Sequence, residues 1–144
     1  RSGATFTAAK KLVSVLTSRG VKVITPNCNI TNGSNLAILL RDSEKNMPPI
    51  RGVINCVMIL TNAAFTNMSF QQWSSAMEAK VNGSLNLHRF LQTKELDFFV
   101  HLSSLAGING QMASSNYAAG CAFQDALAQL HHGVTVLDVD WMAV

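Results

Sequence analysis

The sequence predicts an α/β chain, a parallel β-sheet with helices covering both faces. Short β-branched or apolar runs alternate with longer stretches of helical periodicity, and strands that are apolar throughout belong in sheets buried on both sides. Gly20, Pro26 and Pro48-Pro49 punctuate the junctions.

Residues 5–19 place Phe6, Ala9, Leu12, Val13 and Leu16 on one face, with Gly20 as a stop signal, and read as a helix. Residues 21–25 are β-branched and short and read as a strand ending at Pro26. Residues 35–46 read as a helix with Ser34 as its N-cap, closed by the two prolines. Residues 52–58 form a second apolar run. Ser69 can cap a long helix carrying Trp73, Met77, Val81, Leu85, His88 and Leu91, with Trp73 and Met77 as core. A strand at 98–102, a helix at 116–131 and a strand at 134–140 complete the series. Gly107, Gly110 and Gly133 are expected to serve turns. The pattern contains no internal repeat and no linker.

A length of 144 residues suffices for one domain with a real core and is too short for two. Hydrophobic content of 48% with 13% charged residues describes a globular chain and excludes a disordered one. The net charge of +3 comes from scattered Lys and Arg, which argues against a nucleic-acid partner. No apolar stretch approaches a membrane span and no secretory signal opens the sequence, so no membrane partner is expected. Cys28, Cys56 and Cys121 have the spacing of neither a zinc site nor a disulfide framework, which points to the cytoplasm. In that compartment the Asn-x-Ser/Thr triplets at Asn29, Asn32, Asn67 and Asn82 are chance. His88, His101, His131 and His132 lack ligand spacing; they read as surface or packing residues, and no metal is expected.

Lys80, Ser104 and Tyr117 stand out. Ser104 closes the apolar run that begins at Phe98, Tyr117 opens the next helical pattern, and Lys80 lies on the earlier amphipathic helix. A hydroxyl at a strand's carboxyl end, a phenol and a nearby ammonium can together protonate a carbonyl that is receiving hydride. Ligands of parallel sheets collect at that end of the strands. Taken singly, each residue has an ordinary structural role: a packing tyrosine, a solvated lysine, a capping serine.

The block Glu78-Ala79-Lys80-Val81-Asn82-Gly83-Ser84-Leu85-Asn86-Leu87-His88, with Gly52-Val53-Ile54, Leu60-Thr61-Asn62, Leu102-Ser103-Ser104 and Asn116-Tyr117-Ala118-Ala119-Gly120, resembles the ketoreductase domain of polyketide synthases. That domain belongs to the short-chain dehydrogenase/reductase superfamily. The three positions fall at the family's spacings, 24 residues from Lys80 to Ser104 and 13 more to Tyr117. Ordinary superfamily members carry the lysine four residues after the tyrosine. Here Cys121 stands there, and the lysine comes from the earlier helix, as in the polyketide branch. Asp97-Phe98-Phe99-Val100 and Phe123-Gln124-Asp125-Ala126-Leu127 look especially like the fungal highly reducing enzymes.

The resemblance implies a Rossmann-like, doubly wound parallel sheet, incomplete here because the first strand and the Gly-rich turn are absent. It implies Tyr117 as general acid, Lys80 as the cation that lowers the phenol's pKa, and Ser104 as a hydrogen-bond donor to the carbonyl oxygen. Cys121 occupies a catalytic position where the family usually has Asn. The implied cofactor is NADPH, with Arg1 and Ser2 at the 2′-phosphate, Asn29 and Ile30 at the adenine, and Asn55, Cys56 and Val57 in the loop passing the cofactor. The implied substrate is a β-ketoacyl chain on an acyl carrier protein, and the implied partners are other synthase domains. With both acidic positions of a stereochemical signature replaced by Thr61 and Asn62, and no Trp near Asn109, hydroxyl configuration is unreadable. Residues 1–144 thus read as a partial ketoreductase domain, expected neither to fold stably nor to turn over alone. The alternatives are a non-catalytic remnant or structural subdomain of a synthase, favoured by Cys121, Val57 and the missing cofactor turn, and a stand-alone short-chain reductase.

Overall fold

A computed structural model describes residues 3–130 and the backbone of 134–138. The chain divides into two compact units, Arg1–Pro49 and Ile50–Val144.

The first unit holds helices α1 (Thr7–Ser18) and α2 (Gly33–Asn46). After α1, Gly20 adopts φ +80°, the left-handed conformation that glycine enters without a Cβ penalty. Its N–H donates to Thr17 O (2.9 Å) and that of Val21 to Leu16 O (3.1 Å), the double bond of a Schellman ending. The stripe Ala9, Val13 and Leu16 is half-buried, whereas Phe6 and Leu12 are exposed.

Two expectations fail in this unit. Residues 21–25 form no strand. β-branching suits a segment to a sheet, but a strand exists only through a ladder partner, and none of the described residues pairs with this one. The cap of α2 is Asn32, not Ser34: the Asn32 side chain accepts from Asn35 N (3.0 Å), two residues earlier than expected.

The second unit holds β1 (Gly52–Asn55), α3 (Phe70–Leu91), β2 (Phe98–Ser103), α4 (Ala106–Asn109), α5 (Ser115–Leu130) and β3 (Val134–Asp138), with a 3₁₀ turn at Phe65–Asn67. The three strands pair in parallel in the order β1-β2-β3. Parallel neighbours need long crossovers, and α3 and α5 supply them. β1 stops at Asn55, opposite His101, three residues short of the expected end, while β2 runs on to Ser103 against β3. His131, Gly133 and the 139–140 end of the last expected strand lie outside the described residues.

Phe99, His101 and Ser103 alternate along β2 as its buried face. Above the sheet α3 and α5 pack against each other, and α5 also packs on β2 and β3. The buried face of α3 is Ala76, Ala79, Lys80, Gly83, Ser84 and Leu91. Trp73 and Met77, expected as core, are only half-buried and line a surface groove of about 260 Å³ with Phe70 and Val81. Small residues win the core position because they let the helix backbones approach. Gly107 also departs from expectation. It sits inside α4, where a Cβ would lie 2.9 Å from Cys121 Cβ and 3.0 Å from Ala122 N, so close packing rather than a turn requires it. Gly110, at φ +73°, does serve a turn. No helix among the described residues is long and apolar enough to cross a membrane.

Ser69 opens α3 with a reciprocal capping box: its Oγ accepts from Gln72 N (3.2 Å) while Gln72 Oε1 accepts from Ser69 N (2.9 Å). Ser69→Ala is expected to cost about 1 kcal/mol locally and to speed amide exchange in the first turn of α3 about fivefold. Hydrogen-exchange mass spectrometry of the full polypeptide checks this.

Candidate active site

Three elements bring the site together. Ser104 directly follows β2, Lys80 lies midway along α3, and Tyr117 is in the first turn of α5. On α5 the residues Tyr117, Gly120, Cys121, Gln124 and Leu127 recur at helical spacing, and all are buried. They form the stripe that meets α3 and β2.

The start of α5 is fastened from outside the helix. The amide of Asn116, fully buried, donates to Thr61 O (3.2 Å), Thr61 Oγ1 (3.1 Å) and Gln72 O (2.9 Å). Thr61 Oγ1 in turn donates to Gln72 O (2.7 Å). The loop after β1, the first turn of α3 and the first turn of α5 are thereby pinned to one side chain, and Tyr117 is the next residue along.

Lys80 is 1% exposed. Its stem runs across Gly120, where a Cβ would lie 3.0 Å from Lys80 Cβ and 3.1 Å from Lys80 Cδ. Glycine in a helix interior costs about 1 kcal/mol relative to alanine; here it opens the path by which a lysine crosses between two helices. The ammonium lies over the Tyr117 ring, 5.1 Å from its centroid. It donates to Leu102 O (3.3 Å) and to Gln124 Oε1 (2.8 Å).

Ser104 and Tyr117, 6% and 4% exposed, are joined by a side-chain hydrogen bond. Ser104 Oγ also accepts from Ala106 N (3.2 Å), which leaves its O–H to donate. The Tyr117 phenol is pushed up to about 12, first by burial and then by the Cys121 thiol, and the Ser104 hydrogen bond pulls the other way. The expected lowering of this pKa by Lys80 is therefore not what the site displays. The ammonium faces the ring rather than the hydroxyl, and burial is the largest influence on the phenol. A phenol with this pKa is protonated at neutral pH, the form a proton donor needs.

A buried polar chain extends from the lysine. Gln124 Nε2 donates to Ser84 Oγ (2.9 Å), and Asn55 Nδ2 donates to Ser84 Oγ (3.2 Å) and contacts His101 Nδ1 (3.1 Å). Because Asn55 Oδ1 accepts from Val57 N (3.2 Å), its amide nitrogen faces His101. Nδ1 of His101 is then an acceptor and the ring proton sits on Nε2. His101 is completely buried, and that Nε2 has no hydrogen-bond partner among the described residues. Its pKa falls to about 4, through burial first, then the charges of Lys80 and His88.

Of the residues expected at the site, the structure joins Lys80, Ser104, Tyr117 and Cys121, and ties Asn55 to them through the polar chain. Asn55 points inward, whereas Cys56 is exposed and Val57 half-buried in the loop beyond β1. Asn29 and Ile30 belong to the first unit, in the turn before α2, where Asn29 Oδ1 accepts from Thr31 N (3.4 Å). Arg1 and Ser2 lie outside the described residues. Gln124, Ser84, Gly120 and Asn116 were not assigned a role from sequence. The available signals were a mid-helix glycine and a glutamine seven residues after Tyr117 on the same helix face. Among the described residues no group of three or more His, Cys, Asp or Glu could hold a metal.

Residues 1–144 match the family model described as KR domain. The chain is 49% identical to highly reducing polyketide synthase 2 of Gibberella zeae over 99% of its own length and 6% of that protein. It is 42% identical to partially reducing polyketide synthase men1 of Menisporopsis theobromae over 93% of its length and 5% of that protein. Among solved structures, a ketoreductase from the first module of phoslactomycin biosynthesis in Streptomyces sp. HK803 superposes with a TM-score of 0.86 at 27% identity, covering 98% of this chain and 33% of that one. The first ketoreductase of the tylosin synthase superposes with a TM-score of 0.82 at 30% identity, covering 98% and 31%. The chain thus spans a small part of the synthases it matches and about a third of these solved ketoreductases.

His101 is expected to titrate near 4. A histidine whose folded pKa lies below its unfolded value near 6.5 leaves the unfolded state binding more protons between those two values, so folded stability falls as pH drops through that window. Imidazole C2 hydrogen–deuterium exchange, read by mass spectrometry against pH, should give a midpoint well under 6; one at or above ~6.5 would contradict the buried neutral ring.

Proposed function

The chain belongs to the KR-domain family of polyketide synthases, and on that premise we propose that it carries the catalytic groups for NADPH-dependent reduction of a β-ketoacyl chain on an acyl carrier protein to the β-hydroxyacyl chain. The observation that carries this reading is the convergence of Lys80, Ser104 and Tyr117, from three separate elements, into one buried group. Other domains of such a synthase are the proposed partners, and the cytoplasm its compartment.

The donor set fits a nicotinamide cofactor and a carbonyl. The group lies at the carboxyl end of parallel strands, where ligands of such sheets bind, and it offers hydroxyl and ammonium donors with no carboxylate among Lys80, Ser104 and Tyr117. In the second unit we assign cofactor contacts to Cys56 and Val57, with Asn55 anchoring their loop; the assignments of Arg1, Ser2, Asn29 and Ile30 rest on the family resemblance alone. When bound, NADPH supplies the hydride.

The chain's own residues handle the oxygen and the proton. Ser104 Oγ–H donates to the carbonyl oxygen and stabilises the negative charge that develops on it. Tyr117 Oη–H transfers its proton to that oxygen, which completes the alcohol and leaves a phenolate. The Lys80 ammonium stabilises that phenolate until it regains a proton from solvent. A phenol held near 12 surrenders its proton only to a strongly basic oxygen, which ties proton release to the arrival of hydride.

Cys121 supports a second reading, a site in decline. Its thiol hydrogen-bonds Tyr117 and raises the phenol's pKa, at a position where the family usually carries Asn. In the synthase bearing this segment, Tyr117→Phe is expected to lower reduction of a β-ketoacyl thioester by about 100-fold or more, followed through NADPH absorbance. An unchanged rate would refute the mechanism. Cys121→Asn is expected to change the rate by less than about tenfold; a larger gain would favour the declining site.

A further inference from the structure

We propose that Gln124 is the positioning residue for the catalytic lysine: its side-chain amide holds the Lys80 ammonium at Tyr117 by a neutral acceptor, and Ser84 and Asn55 fix the amide's orientation. The inference rests on the functional reading above and adds to it a part of the machinery outside the lysine, serine and tyrosine.

A lysine is four flexible methylenes and a point charge, so burial alone does not fix where its ammonium lies. Among the described residues it donates to Leu102 O at 3.3 Å and to Gln124 Oε1 at 2.8 Å. The backbone carbonyl belongs to β2 and is fixed by the sheet. Gln124 is the side-chain member of the pair, and it is fully buried.

An amide is ambiguous by itself, since either end can face a neighbour. The network removes the ambiguity. An ammonium only donates, so it requires Oε1. The opposite end, Nε2, donates to Ser84 Oγ at 2.9 Å, and the same oxygen accepts from Asn55 Nδ2 at 3.2 Å. Asn55 is oriented in its turn by Val57 N at 3.2 Å. Three side chains, Asn55 from β1, Ser84 from α3 and Gln124 from α5, thereby specify one position for the ammonium. Ser84 and Gln124 are both fully buried, so water does not substitute for either.

The acceptor's neutrality has a consequence. A carboxylate at position 124 would hold the lysine equally well and cancel its field at Tyr117. An amide fixes the position and leaves the charge to act on the phenolate. Among the described residues, the titratable groups facing this cluster include Tyr117 and Cys121 from α5, His101 from β2, and Lys80 itself from α3, with the charge of His88 on α3 also reaching His101. His101 is held neutral, so it adds no competing charge at neutral pH.

The test uses the whole synthase carrying this segment and a β-ketoacyl thioester. Gln124→Met keeps the volume and removes the acceptor; it is expected to lower kcat by about 10- to 100-fold, with KM for the thioester changed less than about threefold. Gln124→Glu is expected to retain the lysine contact yet also lose kcat by about tenfold or more, because it cancels the charge. A crystal structure of the Gln124→Met protein supplies the readout that a merely structural role would not move: Lys80 Nζ should shift by about 2 Å or more with the α5 backbone unchanged. An unmoved Nζ, a moved Nζ with wild-type kcat, or a Gln124→Glu protein of wild-type kcat would each overturn the proposal. A wild-type synthase that reduces no β-ketoacyl thioester marks failure of the functional reading instead, and the position of Nζ in the variant still decides this one.

Discussion

A lysine side chain crossing between two packed helices is the constraint on which the second unit depends. Burying an ammonium is costly unless its donors are met, and every feature around Lys80 answers that cost. Gly120 clears the path for its stem, Ala76, Ala79, Gly83 and Ser84 let α3 come close enough to α5, and Leu102 and Gln124 receive the charge. Remove the close approach and the ammonium would reach solvent rather than Tyr117.

The same constraint explains the composition of the core. Tyr117, Cys121 and Ala106 form the compact apolar cluster, while Asn55, Lys80, Ser84, His101, Ser103, Asn116 and Gln124 are buried beside it. A core this polar specifies position more than it contributes stability. Each side chain has few orientations that satisfy its hydrogen bonds, so the network selects one arrangement of β1, α3, β2 and α5. Asn116 extends the same principle to the loop after β1, which it joins to the first turns of both helices.

Much of this was legible in the sequence, for identifiable reasons. Helix positions followed from 3.6-residue periodicity and local signals such as Gly20 and Ser69, which act within a few residues of themselves. Lys80, Ser104 and Tyr117 were legible as a set because their spacing accompanies matching blocks. Residues 21–25 were misread because pairing is a non-local event that β-branching cannot report. The face of α3 was misread because periodicity weights large apolar side chains, and here Trp73 and Met77 line a surface groove while alanine, glycine, serine and lysine face the core. Gln124 and Ser84 were invisible because polar residues on a helix ordinarily face water. The direction of the Tyr117 pKa needed the depth of its burial, which spacing does not contain.

The most direct measurement is a crystal structure of the synthase's ketoreductase region with NADPH and a β-ketoacyl thioester mimic, read for the position of the ketone oxygen. A site that works through Lys80, Ser104 and Tyr117 puts that oxygen within about 2.6–3.2 Å of both Ser104 Oγ and Tyr117 Oη, with Lys80 still on Gln124. A ketone oxygen bound away from both hydroxyls would contradict that site.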